Sequence, residues 1–178
     1  ESMKEIGFNQ DKLYPYAGPG RWNDPDMLIV GMVGWSNNLR PTRLTVDEQY
    51  THITLWSLLS APFLLGCDVS RIGPFTLSLL TNSEVIDVNQ DALGRQAQRV
   101  YDQDDIQIWV KELENGAKAV GIFNLSEEDC TFDIPFAKLG LTDFKTVRDL
   151  WRQADVKMKS GKLGVFLPTH GCAFYTIH

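Results

Sequence analysis

With 178 residues the chain has room for one large domain or parts of two, and 43% apolar residues is ordinary for a protein that folds around cores. A formal charge of −6 and the lack of any basic run argue against nucleic acid as a partner. No apolar stretch approaches the roughly 20 residues that span a bilayer, so no membrane partner is expected. The first residues, Glu1-Ser2-Met3-Lys4-Glu5, show no secretory leader pattern and read as mid-protein helix or tag.

The first informative stretch is Gly20-Arg21-Trp22-Asn23-Asp24-Pro25-Asp26-Met27-Leu28. Pro25 fixes its own φ and restricts Asp24 to extended conformations. Such a rigid, acidic, aromatic-edged turn suits a hydroxyl-rich ligand. Paired carboxylates also suit acid–base chemistry, but Asp-Pro-Asp is more often a turn held by its own side chains. Residues i and i+2 of an extended segment point to opposite faces. A retaining glycosidase needs its two carboxyls about 5 Å apart around one bond. Asp24 and Asp26 are therefore not expected to be a catalytic pair.

Residues 28–30 form a short apolar run. Thr45-Val46-Asp47-Glu48 has the form of a capping box, and acidic residues in the first turn suit the helix dipole. His52, Leu55, Trp56 and Leu59 recur at helical spacing and predict one packed stripe, ending near Ser60 or Ala61 because Pro62 follows. The run 62–68 predicts a strand buried on both faces, as in a parallel sheet. Two short helices should follow, one with Phe75, Leu77, Leu79 and Leu80, the next with Val85, Ile86 and Val88. Asn89-Gln90-Asp91 reads as a helix C-terminus. Strand alternating with helix is the grammar of a parallel α/β fold, barrels included.

Past Gly94 the pattern changes to alternation. Ile106, Ile108 and Val110 share one face, and Gln107, Trp109 and Lys111 the other. Asn115-Gly116 signals a hairpin whose return strand is 117–123. Further strands are expected at 130–134, 144–150, 163–167 and 172–177, an antiparallel sandwich in outline. The boundary should fall between Asp91 and Arg99. Asp102, Asp104 and Asp105 read as a solvated turn, since a calcium loop needs more oxygen ligands at regular spacing. Trp109 and Trp151 are expected in core or interface packing more than in sugar stacking.

Cys67, Cys130 and Cys172 are odd in number and far apart, which predicts buried free thiols, not a disulfide framework or a zinc site. His52, His170 and His178 form no ligand cluster, so no metal is expected. No phosphate loop, Gly-x-Ser-x-Gly elbow or CxxC occurs.

Gly18-Pro19-Gly20-Arg21-Trp22-Asn23-Asp24-Pro25-Asp26-Met27-Leu28 resembles a hallmark of the α-galactosidases of glycoside hydrolase family 27. The resemblance continues through 44–52 with Leu55-Trp56, through 60–66 and 85–94, and more loosely through Arg148-Asp149-Leu150-Trp151 and 168–173. It implies the last two β/α units of a (β/α)8 TIM barrel, residues 1–94, followed by a C-terminal antiparallel β-sandwich, residues 95–178. It implies a retaining enzyme acting on terminal α-galactosides through an aspartate nucleophile, with no cofactor. The family's nucleophile lies in a Lys-Tyr-Asp motif, which does not occur here. Its acid/base belongs to the strand before the Asp-Pro-Asp turn. No catalytic residue is thus expected in the chain, which should be inactive alone, with the missing N-terminal part of the barrel as its partner. By position, Asp26 and Met27 carry over as substrate-binding residues, Asp26 accepting from sugar hydroxyls and Met27 packing beneath the ring. Asn23 and Asp24 should hold the turn. The same resemblance admits an α-N-acetylgalactosaminidase or a β-L-arabinopyranosidase. A non-catalytic carbohydrate-binding module is the rival from another class.

Overall fold

A computed structural model describes residues 2–142, 145–158 and 162–178. Helix α1 (Met3–Phe8) starts on a capping box in which Ser2 and Glu5 satisfy each other's backbone N–H. A 3-10 turn (Asn9–Tyr16) then leads into the Asp-Pro-Asp turn. A small ribbon of β1 (Met32–Val33) and β2 (Arg40–Pro41) precedes α2 (Val46–Leu58). Helix α2 opens on the expected Thr45–Glu48 capping box. It ends where Ser60 turns to φ 52° and Leu59 N–H bonds back to Leu55. Helices α3 (Pro74–Leu80) and α4 (Ser83–Asn89) follow, the first with Pro74 at its start and the second capped by Asn82.

The apolar runs at 28–30 and 62–68 come together as neighbours. Leu28 N–H donates to Leu64 O at 2.8 Å and Gly66 N–H to Leu28 O at 2.9 Å, a parallel bridge between Leu28 and Leu65. With α2 between them in sequence, the two segments run parallel at this one isolated bridge. The expectation of a strand buried on both faces fails for 62–68, because Leu64 and Leu65 are exposed, as is Ile29. Leu28 and Val30 are buried under α2, while no strand among the described residues covers the opposite side.

The remaining strands are antiparallel. β3 (Gln98–Gln103), β4 (Ile106–Glu112), β5 (Lys118–Asn124), β10 (Cys172–Ile177), β7 (Val147–Asp149) and β8 (Ala154–Asp155) pair in that order as one six-stranded sheet. β6 (Cys130–Asp133) and β9 (Gly164–Leu167) form a second, two-stranded sheet. Ile106, Ile108, Val120, Ile122, Tyr175 and Ile177 face Ile134, Val165 and Leu167 of that ribbon, which makes a sandwich core. The strand expected over 144–150 is seen at Val147–Asp149, and Phe144 lies outside the described residues.

The other face of the large sheet packs on α2. Trp109, Ala119, Phe123 and Phe174 join Leu55, Leu58 and Leu59 in one core. A Cβ on Gly121 would meet Leu58 Cδ1 at 2.4 Å, so glycine there lets the helix lie directly on the sheet. Trp109 is fully buried, its indole N–H on Gln107, and so packs rather than stacks on a ligand. Lys111, on the same face, is buried completely. Its ammonium donates to Ser60 Oγ at 2.7 Å and to the carbonyls of Ser57 and Val88, which terminate α2 and α4. Asn89 joins this junction through the carbonyls of Trp56 and Ala61, at 3.3 and 2.9 Å. The expected C-terminus at 89–91 is thus observed, but Asn89 serves another helix's carbonyls rather than its own.

Asp104 and Asp105, at φ 52° and 58°, form the tight turn between β3 and β4. The cysteines are free as expected, but each is half-buried rather than buried. No helix is long and apolar enough to cross a membrane among the described residues.

Candidate functional site

One stripe of α2 holds the segment from Asp26 to Gly31 in place. Gln49, His52 and Trp56 recur at i, i+3 and i+7 and share a face. The Trp56 indole N–H donates to Asp26 O at 2.8 Å, His52 Nε2 accepts the Ile29 N–H at 3.1 Å, and Gln49 Oε1 accepts the Gly31 N–H at 3.1 Å. Gln49 Nε2 in turn donates to the carbonyls of Leu44 and Thr45. The stripe expected from hydrophobic spacing is therefore a row of backbone clamps as well as a packing face. His52 and Trp56 also meet edge to face, with ring centroids 4.2 Å apart.

His52 is buried, and burial pushes its pKa down to about 4. Because Nε2 accepts the Ile29 N–H, the proton of the neutral ring sits on Nδ1. Nδ1 has no hydrogen-bond partner among the described residues. This ring is a fixed acceptor, not a proton shuttle.

The turn itself is locked locally. Asp24 Oδ1 accepts the Asp26 N–H at 2.9 Å, and Asp26 Oδ1 accepts the Met27 N–H at 2.7 Å. Asp26 has φ 76°, a left-handed conformation that aspartate tolerates better than most side chains. The segment is therefore not extended at Asp26, contrary to the assumption made from spacing. Asn23 Nδ2 donates to Leu13 O and Gln96 Oε1, at 2.8 and 2.9 Å, tying the turn to the linker before β3. Gly94, at φ 62°, sits where a Cβ would meet the Trp22 ring at 2.9 Å. Asn23 and Asp24 thus shape the turn.

Beside the turn opens a cleft of about 940 Å³, lined in part by Met27, Ile29, Trp35, Arg40, Leu65 and Asp68. Met27 is on its wall, and Asp26, exposed, immediately precedes it. Gly66 lets the neighbouring segment approach, since a Cβ there would meet Met27 Cβ at 3.1 Å. Trp35 is 81% exposed at the tip of the β1–β2 ribbon. Asp68 accepts from Ser70 N–H and Oγ at 2.9 and 2.6 Å, and these bonds hold its carboxyl below the usual range.

Trp35, Arg40 and Asp68 escaped the sequence reading as cleft residues. Only the Asp-x-Ser spacing of Asp68 and Ser70 was a local signal, and it marks a turn, not a site. The cleft can offer a carboxylate acceptor and apolar faces to a polyhydroxylated ligand. Among the described residues, Asp68 is the one carboxylate on its lining, so no pair of carboxyls brackets a bond there.

Two family models match the chain in turn. A family model described as Alpha galactosidase A matches residues 2–91, and one described as Alpha galactosidase C-terminal beta sandwich domain matches residues 103–177. The α-galactosidase of Cyamopsis tetragonoloba is 37% identical over 178 residues, covering 99% of this chain and 41% of that enzyme. Among solved structures, a GH27 β-L-arabinopyranosidase from Geobacillus stearothermophilus superposes with a TM-score of 0.86 at 30% identity, covering 99% of this chain and 42% of its own. α-Galactosidase I from Mortierella vinacea gives 0.86 at 28% identity, covering 99% and 44%. The chain therefore spans about two fifths of the length of these relatives.

Proposed function

The chain belongs to glycoside hydrolase family 27, and from that premise we propose that it is the C-terminal portion of a retaining α-galactosidase acting on terminal α-D-galactosyl residues. Residues 1–94 are read as the last two β/α units of a (β/α)8 barrel and 95–178 as its β-sandwich domain. The parallel contact between Leu28 and Leu65 across α2 supports the barrel reading, because neighbouring barrel strands pair in this way. The exposed Ile29, Leu64 and Leu65 supply apolar surface for the rest of such a barrel to cover.

The observation that carries the reading is the placement of Asp26 and Met27. The turn lies at the C-terminal side of a buried Trp56–His52–Gln49 clamp and puts Met27 on the wall of the large cleft. In the proposed role, Asp26 accepts from sugar hydroxyls and Met27 packs beneath the ring. The nucleophile and the acid/base are supplied by residues other than these, because no Lys-Tyr-Asp motif occurs in the chain. Its partner is then the remainder of the barrel.

The test is hydrolysis of p-nitrophenyl α-galactoside by the full-length enzyme and by this chain alone. Turnover by the first and none by the second is expected. Turnover by the isolated chain would overturn the division of labour, and a full-length protein inert on every glycoside would overturn the enzymatic reading. The likeness to the arabinopyranosidase structure favours a second reading, the same scaffold acting on β-L-arabinopyranosides. Parallel kcat/KM values on the α-galactoside, α-N-acetylgalactosaminide and β-L-arabinopyranoside decide among the three specificities.

A further inference from the structure

Helix α2 has a second polar face. Asp47, Tyr50 and Thr54 recur at i, i+3 and i+7, on the side opposite Gln49, His52 and Trp56. That face looks onto a break in the large sheet. β7 pairs with β10 only from Tyr175 to Ile177. One more bond follows, Leu150 N–H to Phe174 O at 3.0 Å, and the chain then turns out at Trp151. The gap is a pocket of about 510 Å³, within the range of small-ligand sites.

Its lining is chemically specific. Trp151 is fixed on one wall, its indole N–H on Thr54 Oγ1 at 2.8 Å and its ring edge to face with Tyr50 at 4.8 Å. Phe166 stands on the β9 wall, 61% exposed. Asp47 and Asp149 contribute carboxylates, and Asp149 also faces Arg152, with Nε to Oδ2 at 3.6 Å. Tyr175 is only 5% exposed as a residue and lines the pocket, and its hydroxyl makes no hydrogen bond to another described residue, so it is open to a ligand. Burial and the nearby Asp149 push that hydroxyl up to about 12, so it stays a donor throughout the ordinary pH range.

We propose that this pocket is a second, non-catalytic saccharide site that takes one or two pyranose rings. The Tyr175 hydroxyl donates to a ring or hydroxyl oxygen, Asp47 and Asp149 accept from sugar hydroxyls, and Phe166 offers an apolar face. Arg152 offsets the carboxylates, which favours a neutral polyol over a cation, and the carboxylates disfavour an anion. Because one helix supports both places, Asp47 and Tyr50 on one side and His52 and Trp56 on the other, the site stands clear of the cleft but on the same rigid element. The inference does not depend on which glycoside the cleft hydrolyses.

The experiment is calorimetric titration of the full-length protein with D-galactose, beside the Tyr175→Phe and Asp149→Asn variants and an Asp26→Ala variant. Tyr175→Phe keeps the volume and removes only the unpaired hydroxyl, and its thermal unfolding midpoint checks that the fold is kept. The expected result is a weak, millimolar binding event that Tyr175→Phe and Asp149→Asn each weaken about fivefold or more and Asp26→Ala leaves in place. Binding that responds only to Asp26→Ala, or no event sensitive to Tyr175→Phe, overturns the proposal. If the protein cleaves no glycoside at all but keeps Tyr175-dependent binding, the function proposed for the cleft fails while the second site stands.

Discussion

The Trp56 indole N–H and the Asp26 carbonyl oxygen meet at 2.8 Å, so a buried helix side chain holds the one turn residue that sits at φ 76°. A residue in that conformation persists only when its surroundings determine it. Trp56→Phe keeps the ring packing but removes the donor, leaving a carbonyl unpaired at about 1–2 kcal/mol. In the full-length enzyme we expect a lower unfolding midpoint and a raised KM for p-nitrophenyl α-galactoside, with Asp26 no longer fixed. An unchanged KM would separate the clamp from the cleft.

His52 gives the clamp a pH dependence with a definite sign. Its folded pKa, about 4, lies below the ordinary 6.5, so below that value the unfolded chain binds the extra proton. The stability due to the buried neutral ring is therefore complete above about pH 6.5 and is lost as pH falls toward 4. The window is worth about 3 kcal/mol at most. Denaturant unfolding at pH 7, 5.5 and 4.5 should show this slope in the parent. His52→Gln, which keeps an acceptor for Ile29 N–H, should flatten it.

Much of this frame was legible because its signals are local. The Thr45–Glu48 box, the Asn115-Gly116 hairpin and the parity of Ile108 against Trp109 each depend on residues a few places apart. What the parity left open was what each face meets. Lys111 shares its face with Trp109, and only the packing of α2 on the sheet shows that this face is dry. The strand β3 was missed because its polar, mostly exposed residues give no apolar alternation. The short β8 and the β1–β2 ribbon carry too few residues for any period. The donor role of Trp56 and the acceptor role of His52 were hidden for a different reason. Hydrophobic spacing reports which face is buried, not which backbone groups its nitrogens satisfy.

Gly121 tests the contact between helix and sheet. A Cβ there would meet Leu58 Cδ1 at 2.4 Å and the Phe123 ring at 3.0 Å, both side chains being fully buried. Gly121→Ala should cost about 1–3 kcal/mol through overpacking. Adding Leu58→Val should recover part of that loss, and chemical denaturation of the double variant reads it. No recovery would mean the strain lies at Phe123 instead.

Lys111 joins three elements at one point, and its titration has the same sign as that of His52 but falls at higher pH. Burial lowers its pKa to about 8 from an ordinary 10.5, against the smaller opposing pull of Asp91. Between those values the unfolded chain holds the proton and the folded one has released it, so this residue's contribution to stability rises as pH climbs from 8 to 10.5. The full window is about 3 kcal/mol. Lys111→Met should abolish that rise. At neutral pH it should also destabilise the protein by about 2–4 kcal/mol, because the carbonyls of Ser57 and Val88 and the Ser60 hydroxyl lose their shared donor inside a core. The two readouts separate two roles. If the ammonium were only a tolerated buried charge, replacing it with an apolar chain of similar length would stabilise the protein at pH 7. If it caps α2 and α4 onto β4, the variant is weaker at every pH, and the gap between variant and parent widens from pH 8 to 10.5 as the parent gains stability.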